Sequence, residues 1–214
     1  MAKTTLCERF RGYLPVVIDI ETGGFNPQTD AILEIAAVFV DFDQNNLLVP
    51  ITTHAFHVLP FQGANLDPQA MAFTGIDPYH PFRYAKEEKE VFQNLFKEIR
   101  THIKKSGCQR AILVAHNAIF DMSFMRAAAE RHQLKRNPFH PFSTIDTVAL
   151  SAVFLGQTVL AKACEAANVA FDRNEAHSAI YDAERTAELF CTLTNQWQKH
   201  QGWDIMNQSP ILVE

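Results

Sequence analysis

The chain has 214 residues, 47% of them hydrophobic and 20% charged, with a formal net charge of −5; this is the balance of a soluble globular protein with a sizeable core, in one domain or a closely joined pair. The acidic balance argues against a protein coated in positive charge, so any contact with nucleic acid has to come from local basic patches and bound metal. No apolar run reaches membrane-spanning length, the opening segment MAKTTLCERFRGY lacks the apolar centre of a secretory signal, and the cytoplasm is the expected compartment. Cys7, Cys108, Cys164 and Cys191 show no paired metal-ligand spacing and read as free thiols.

In chain order, residues 14–21 read as a strand, because Val16, Val17, Ile18 and Ile20 favour β structure and Gly23-Gly24 supplies a turn after them. The most apolar stretch, residues 31–40, is interrupted by Glu34 and belongs to a second strand over 32–42; turn residues at 43–46 and a third strand over 52–59 make the first half an antiparallel meander. A short helix is predicted from Pro68 to about Phe73, stopped by Gly75. Residues 87–105 give the clearest helix, with Val91, Leu95, Phe96, Ile99 and Ile103 on one face, acids at its start and bases at its end. An apolar strand over 111–115 follows, then a helix from about 121 to 132. A short fifth strand over 142–145 and helices after Asp146, after Thr158 and over 178–198 complete the pattern. Strands in a meander, then alternating with helices, predict an α/β fold: a mixed five-stranded sheet flanked by helices, in a single domain over residues 1–214. Only the first few residues and the tail after Trp203 are expected to be loose.

Four acids and one histidine carry the chemistry. Asp19 and Glu21 lie two apart on the first strand, so their side chains leave the same face. Two acids on an otherwise apolar strand repel and resist ionisation unless a cation lies between them, which points to metal. Taken alone, an Asp-x-Glu is more often a strand end meeting solvent, Asp121 an ordinary acid at a helix start, and His177 a cap or surface residue. The combination lowers those readings, since acids from a strand and from two helix starts all sit at element ends, where sites are built. His177 and Asp182 are five apart, which is no same-face helical spacing, so they converge only with His177 on a loop and Asp182 in the first turns of the helix after it. His116 and Asn117 are read as shaping a turn, and Asp146 as a helix N-cap or, failing that, a support behind the metal-binding acids. Oxygen ligands select Mg²⁺ or Mn²⁺ over Zn²⁺.

The segments DIETGG, HNAIFD and HSAIYD match the three motifs of the DEDD exonuclease superfamily, in the subclass whose fifth residue is histidine. The longer segments FRGYLPVVIDIETGGFN, RNPFHPF, LGQTVLAKAC and AHSAIYDAERTA resemble one RNA-trimming branch of it, over nearly the whole chain. The resemblance implies a ribonuclease H-like fold, two Mg²⁺ ions held by Asp19, Glu21, Asp121 and Asp182 with Mn²⁺ able to substitute, and His177 as general base. It implies a 3′→5′ exoribonuclease that releases nucleoside 5′-monophosphates from short single-stranded 3′ ends of structured RNA, tRNA and rRNA precursors among them, and that also accepts single-stranded DNA. Phe25, Phe73, Phe120 and Phe142 match phenylalanines that stack on and wedge between the terminal bases, although any one taken singly has even odds of being core. Arg9, Arg11, Lys104, Arg110 and Lys135 match a basic patch by which one subunit feeds the active site of the other, implying a homodimer; by themselves they read as solvated surface charge. Gln69 lies where the family tunes its response to the terminal base, and weak action on 3′-terminal cytosines is expected.

Three alternatives share parts of this pattern. A polymerase proofreading exonuclease uses the same five residues but leaves the FRGY segment and the phenylalanine set without a purpose. A silent module that only grips RNA ends would have lost at least one acid, and none is lost. A phosphatase acting on small nucleotides needs no base-stacking surface.

Overall fold

Valine and isoleucine crowd the first half of the chain, and there the structure, a computed structural model describing residues 5–200, forms three long strands. β1 (Tyr13–Thr22), β2 (Ile32–Phe42) and β3 (Leu48–Leu59) make the antiparallel meander. From Leu14 to Thr22, every position of β1 is buried except Asp19 and Glu21. β3 begins four residues before its predicted start, because a register shift opposite Val40 accommodates Pro50, which has no N–H to give the ladder. A two-residue strand, β4 (Lys86–Glu87), pairs with Val58 and Leu59 at the edge. Neither of its residues favours β structure, so nothing local announces it. β5 (Arg110–Ala115) lies parallel to β1, and β6 (Phe139–Asp146) parallel to β5. The sheet is mixed as predicted, with six strands rather than five, in the order β4-β3-β2-β1-β5-β6.

The helices are α1 (Leu6–Arg9), α2 (Pro68–Thr74), α3 (Glu88–Ser106), α4 (Ala118–Arg131), α5 (Thr147–Leu155), α6 (Leu160–Ala166) and α7 (Ala179–Lys199). α1 is too short to show a period; Thr5 and Glu8 form a reciprocal capping box that holds it. Both faces of β1 and β2 are dry, so both need a cover. α3 and α4 pack on each other and on the sheet, and α7 lies along β1, β2 and β3 with α5 and α6 behind it. Phe92 and Phe96 of α3 are buried edge to face at 5.7 Å, and truncating either to alanine costs about 3–5 kcal/mol. All four cysteines are free. No single described helix is long and apolar enough to cross a membrane. The expected loose ends, residues 1–4 and the tail after Trp203, lie outside the described residues.

This topology decides where chemistry can happen. β1 and β5 are parallel, so their C-terminal ends share one edge of the sheet, and α4 starts where β5 stops. In sheets of this kind the crevice beyond the strand C-termini is the natural binding place.

Candidate active site

Asp19 and Glu21 stand on the last turns of the β1 pleat, Asp121 in the first turn of α4, and Asp182 in the first turn of α7. All four converge at that crevice, as the electrostatics record. The Asp19 carboxyl is held well above the ordinary carboxylate range, first by burial and then by the charges of Asp121, Glu21, Asp182 and Glu34. Glu21 is pushed up to about 8 by burial, Asp182 and Glu34. Asp121 is raised by burial even though the N–H groups of Asp121 and Ile20 favour its ionised form. Asp182 is raised by burial against the pull of His177 and His116. Oδ1 of Asp182 is buried and has no hydrogen-bond partner. Buried carboxylates that resist ionisation, one of them with an oxygen that has no donor, are costly unless a cation satisfies them. Glu21, His177 and Asp182 offer ligand atoms that lie within 4.8 Å of one another. These residues therefore fit a hard dication.

His177 sits where the five-residue spacing requires. It precedes Ser178, the N-cap of α7, in a left-handed backbone conformation at φ 67°. That conformation turns its N–H onto Oδ2 of Asp182 at 3.0 Å. The imidazole is exposed, and its ring meets that of Phe73 at a centroid distance of 4.3 Å.

Beside the acids lies a cavity of about 480 Å³ whose lining includes Glu21, Phe25, Gln69, Phe73 and Phe120. Phe25 is 85% exposed and Phe73 67%, so these two are not core residues. Phe120 is half-buried and bridges from Phe25 at 6.3 Å to Phe124 in the core at 5.0 Å. Phe142 is also exposed but lies on β6 outside this cavity, against the His140 ring at 4.5 Å.

The segments that carry Phe25 and Phe73 are stapled to each other. Asp30 accepts hydrogen bonds from the Asn26 N–H (2.9 Å), the Thr29 hydroxyl (2.7 Å) and the Asn65 amide (3.0 Å). A Cβ on Gly24 would fall 2.0 Å from Oδ2 of Asp30, which is why glycine stands there. Asp67 caps α2 through the N–H groups of Gln69 and Ala70, and its own N–H donates to the Gly23 carbonyl at 2.6 Å. Arg131 clamps both segments from behind, donating to the Pro27 carbonyl at 3.1 Å while its guanidinium lies 3.7 Å from the centre of the Phe61 ring. Glu88, only 2% exposed, orients it at 2.6 Å and also meets Nε2 of His132 at 2.6 Å.

The basic residues gather elsewhere. Arg110 pairs with Tyr13 at the first rung between β5 and β1. Arg11 is exposed and lies over the Tyr13 ring at 5.9 Å, and Arg9, half-buried, lies over Phe10 at 5.3 Å. Burial lowers the Arg9 pKa. Lys104 is in the last turn of α3, just before β5, and exposed Lys135 follows α4, tied to the same end by the Arg100 bond to the Arg136 carbonyl. All five therefore lie toward the N-terminal ends of β1 and β5. The acids lie at the other end, and the six residues from Tyr13 to Asp19 span about 20 Å of strand.

One contributor, Glu34, escaped the sequence reading, and a second, Asp146, does more than cap one helix. Glu34 pairs with Glu21 across the β1–β2 ladder, accepts from the Ala179 N–H at 3.3 Å, and is itself met by His57 at 3.0 Å and Arg83 at 3.7 Å. It thereby ties the start of α7 to the sheet; a lone acid inside the most apolar stretch was its signal. Asp146 caps α5 through Val148 at 2.8 Å, and it also accepts from Asn117 (3.1 Å) and Ala118 (3.0 Å), so it fixes the start of α4 as well. His116 bridges Thr147 (2.9 Å) and the Thr158 carbonyl (3.0 Å), and Asn117 takes a left-handed N-cap at φ 73°.

Against known proteins, the exonuclease family model RNase_T matches residues 16–190. Ribonuclease T of Salmonella choleraesuis is 61% identical over 200 residues, covering 94% of this chain and 93% of that protein. Ribonuclease T of Shigella flexneri is 60% identical over 202 residues, covering 94% of both. Among solved structures, E. coli exonuclease I in complex with a dT13 oligonucleotide superposes with a TM-score of 0.67 at 16% identity, over 89% of this chain and 43% of that longer one. A full-length 3′-exonuclease superposes at 0.66 with 18% identity, over 86% and 83%. These two share the fold.

Proposed function

We propose that this chain, which belongs to the RNase_T family of exonucleases, trims short single-stranded 3′ ends of structured RNA with the help of two divalent metal ions. That it is a 3′→5′ exoribonuclease, a phosphodiester hydrolase, follows from its relatedness to ribonuclease T over nearly its whole length. The exonuclease family implies dependence on a divalent metal. The observation that supports the finer reading most is the meeting of Glu21, Asp182 and His177 within 4.8 Å, beside a cavity walled by exposed phenylalanines.

Asp19, Glu21, Asp121 and Asp182 would hold two Mg²⁺ ions, or Mn²⁺ in their place, which when bound polarise the scissile phosphate and acidify water. His177 takes the proton of the attacking water, and its backbone bond to Asp182 keeps the imidazole at the site. The attack releases a nucleoside 5′-monophosphate and leaves a new 3′-hydroxyl, on which the cycle repeats. Phe25, Phe73 and Phe120 receive the terminal bases by stacking, which contributes about 1–3 kcal/mol per base and tolerates any sequence. Phe142, outside that cavity, meets a base further along the strand.

Arg9, Arg11, Lys104, Arg110 and Lys135 lie too far from the acids to grip the same short 3′ end. That separation favours a homodimer in which the basic end of one subunit holds RNA for the active site of the other. The substrates proposed are tRNA ends and the 3′ extensions of rRNA precursors in the cytoplasm, with single-stranded DNA also accepted. Gln69 lines the phenylalanine cavity, and we assign to it the response to the terminal base, with weak action on cytosine.

End-labelled, uncharged tRNA incubated with the purified protein and Mg²⁺ is expected to lose its 3′-terminal residues stepwise as nucleoside 5′-monophosphates, and to stay intact in EDTA. Preference for a mismatched primer end over tRNA would transfer the assignment to proofreading.

A further inference from the structure

A second cavity opens on the other side of the catalytic histidine. It measures about 380 Å³, and Leu160, Lys162, Phe171, Arg173, His177 and Asp182 are among its lining residues. It shares no residue with the phenylalanine cavity. The two meet at the acid cluster, where Glu21 lines one and Asp182 the other, and the Phe73–His177 ring contact at 4.3 Å stands between them.

Its charge differs from everything around it. Asp19, Glu21, Asp121 and Asp182 repel a phosphate strand, whereas Lys162 and Arg173 are exposed cations. Neither has an ion-pair or hydrogen-bond partner among the described residues, although Glu165 flanks Arg173 on a neighbouring surface. The acid next to Arg173 is already engaged, since Oδ1 of Asp172 accepts from the N–H and the amide of Asn174, each at 2.9 Å.

The loop that carries Arg173 is fixed. Arg185 donates to the Ala170 carbonyl at 3.2 Å, the Asp172 N–H donates to the Tyr181 hydroxyl, and Phe171 meets the Tyr181 ring edge-on at 5.4 Å. The same loop runs on into His177, so a cation here is held in register with the catalytic base.

We propose that Lys162 and Arg173 form a phosphate subsite on the 5′ side of the scissile bond. With the terminal base in the phenylalanine cavity and the scissile phosphate at the acids, the strand leaves past His177, and its next phosphate meets these two side chains. This assignment rests on the exonuclease reading, and the test separates the two.

The dinucleotide ApA carries only the scissile phosphate, whereas pApA adds one on the 5′ side. For the wild type, kcat/KM is expected to be about tenfold higher on pApA, the size of a charge-assisted contact. In the Lys162→Gln/Arg173→Gln double variant the ratio of pApA to ApA is expected to fall to within about twofold, with each single variant between. Reading a ratio on one enzyme preparation cancels any general loss of activity. An undiminished ratio in the double variant, or a wild type that cleaves both dinucleotides equally, overturns the subsite and leaves the exonuclease intact. A wild type that cleaves neither dinucleotide nor a longer strand overturns both.

Discussion

Replacing Glu21 with glutamine keeps the shape of the acid cluster and removes one of its charges. Burial first, then Asp182 and Glu34, push the Glu21 carboxyl from 4.5 up to about 8. A carboxyl whose pKa is higher folded than unfolded stabilises the fold fully below its unfolded pKa, and that contribution is lost as the pH rises through the folded value. Over the interval from 4.5 to about 8, the ceiling on the loss is about 5 kcal/mol. Local relaxation and water entering an open crevice reduce it to about 2 kcal/mol. Glutamine escapes the loss because it never ionises. In EDTA at about pH 5, wild type and Glu21→Gln are expected to agree within about 0.5 kcal/mol in urea melts. At about pH 8.5 the variant is expected to be more stable by about 2 kcal/mol, which raises Tm by about 4–8 °C in a chain of this size. Excess Mg²⁺ at the higher pH is expected to close that gap or reverse it, because only the wild type keeps its full set of carboxylates for the metal. A variant less stable than the wild type at pH 8.5 without metal would refute the claim that this cluster is held under electrostatic load.

Removing the imidazole with His177→Ala is expected to lower kcat on the order of 10²–10⁴-fold while calorimetry still detects metal uptake; full turnover at neutral pH would remove His177 from the role of base. Phe25→Ala and Phe73→Ala are each expected to weaken binding of a short single strand by about 1–3 kcal/mol in fluorescence anisotropy with little change in melting, since both rings are exposed. Unchanged affinity in both would show that the cavity does not hold the bases. Glu88→Gln leaves the Arg131 guanidinium without its buried counter-charge and is expected to cost about 3 kcal/mol in a denaturant melt; an unmoved midpoint would mean that the clamp behind Phe25 and Phe61 carries no stability.

Much of this architecture was legible from local pattern. The five long strands and the α2, α3, α4 and α7 helices announce themselves through β-branched runs, apolar periodicity and terminal glycines, and the predicted bounds fall within a few residues of those observed. What was not legible depends on partners distant in sequence. β4 exists because Lys86 and Glu87 lie beside Val58 and Leu59, and no property of a Lys-Glu pair reveals that. Of the site, the DIETGG, HNAIFD and HSAIYD contexts gave the four acids and the histidine, and the alternation of β1 gave the shared face of Asp19 and Glu21. Glu34 was visible only as an interruption of an apolar strand. Its bond to Ala179 spans 145 residues, and nothing short of the fold brings those two together. The separation of the five basic residues from the acids was equally hidden, since it follows from the direction of β1 and β5 rather than from any motif.

The acids of this chain fall into two groups, divided by whether their hydrogen bonds outweigh burial and neighbouring like charge. Asp30 is buried, which by itself would raise its pKa, yet donors from Asn26, Asn65, Thr29 and Phe25 outweigh the burial and leave it below the ordinary range. Asp146 has three backbone N–H donors, and Glu88 has Arg131 and His132. Each of these acids holds elements together and is satisfied in doing so. Asp19, Glu21, Asp121 and Asp182 are raised instead, because the fold surrounds them with apolar residues and with one another. Folding alone gives such a cluster no benefit at a pH where the unfolded chain ionises it, which is why Glu21→Gln is expected to stabilise the metal-free protein there. A fold that nevertheless aims four such groups at one point is accounted for by a cation that binds there, and the satisfied acids are what keep the unsatisfied ones aimed.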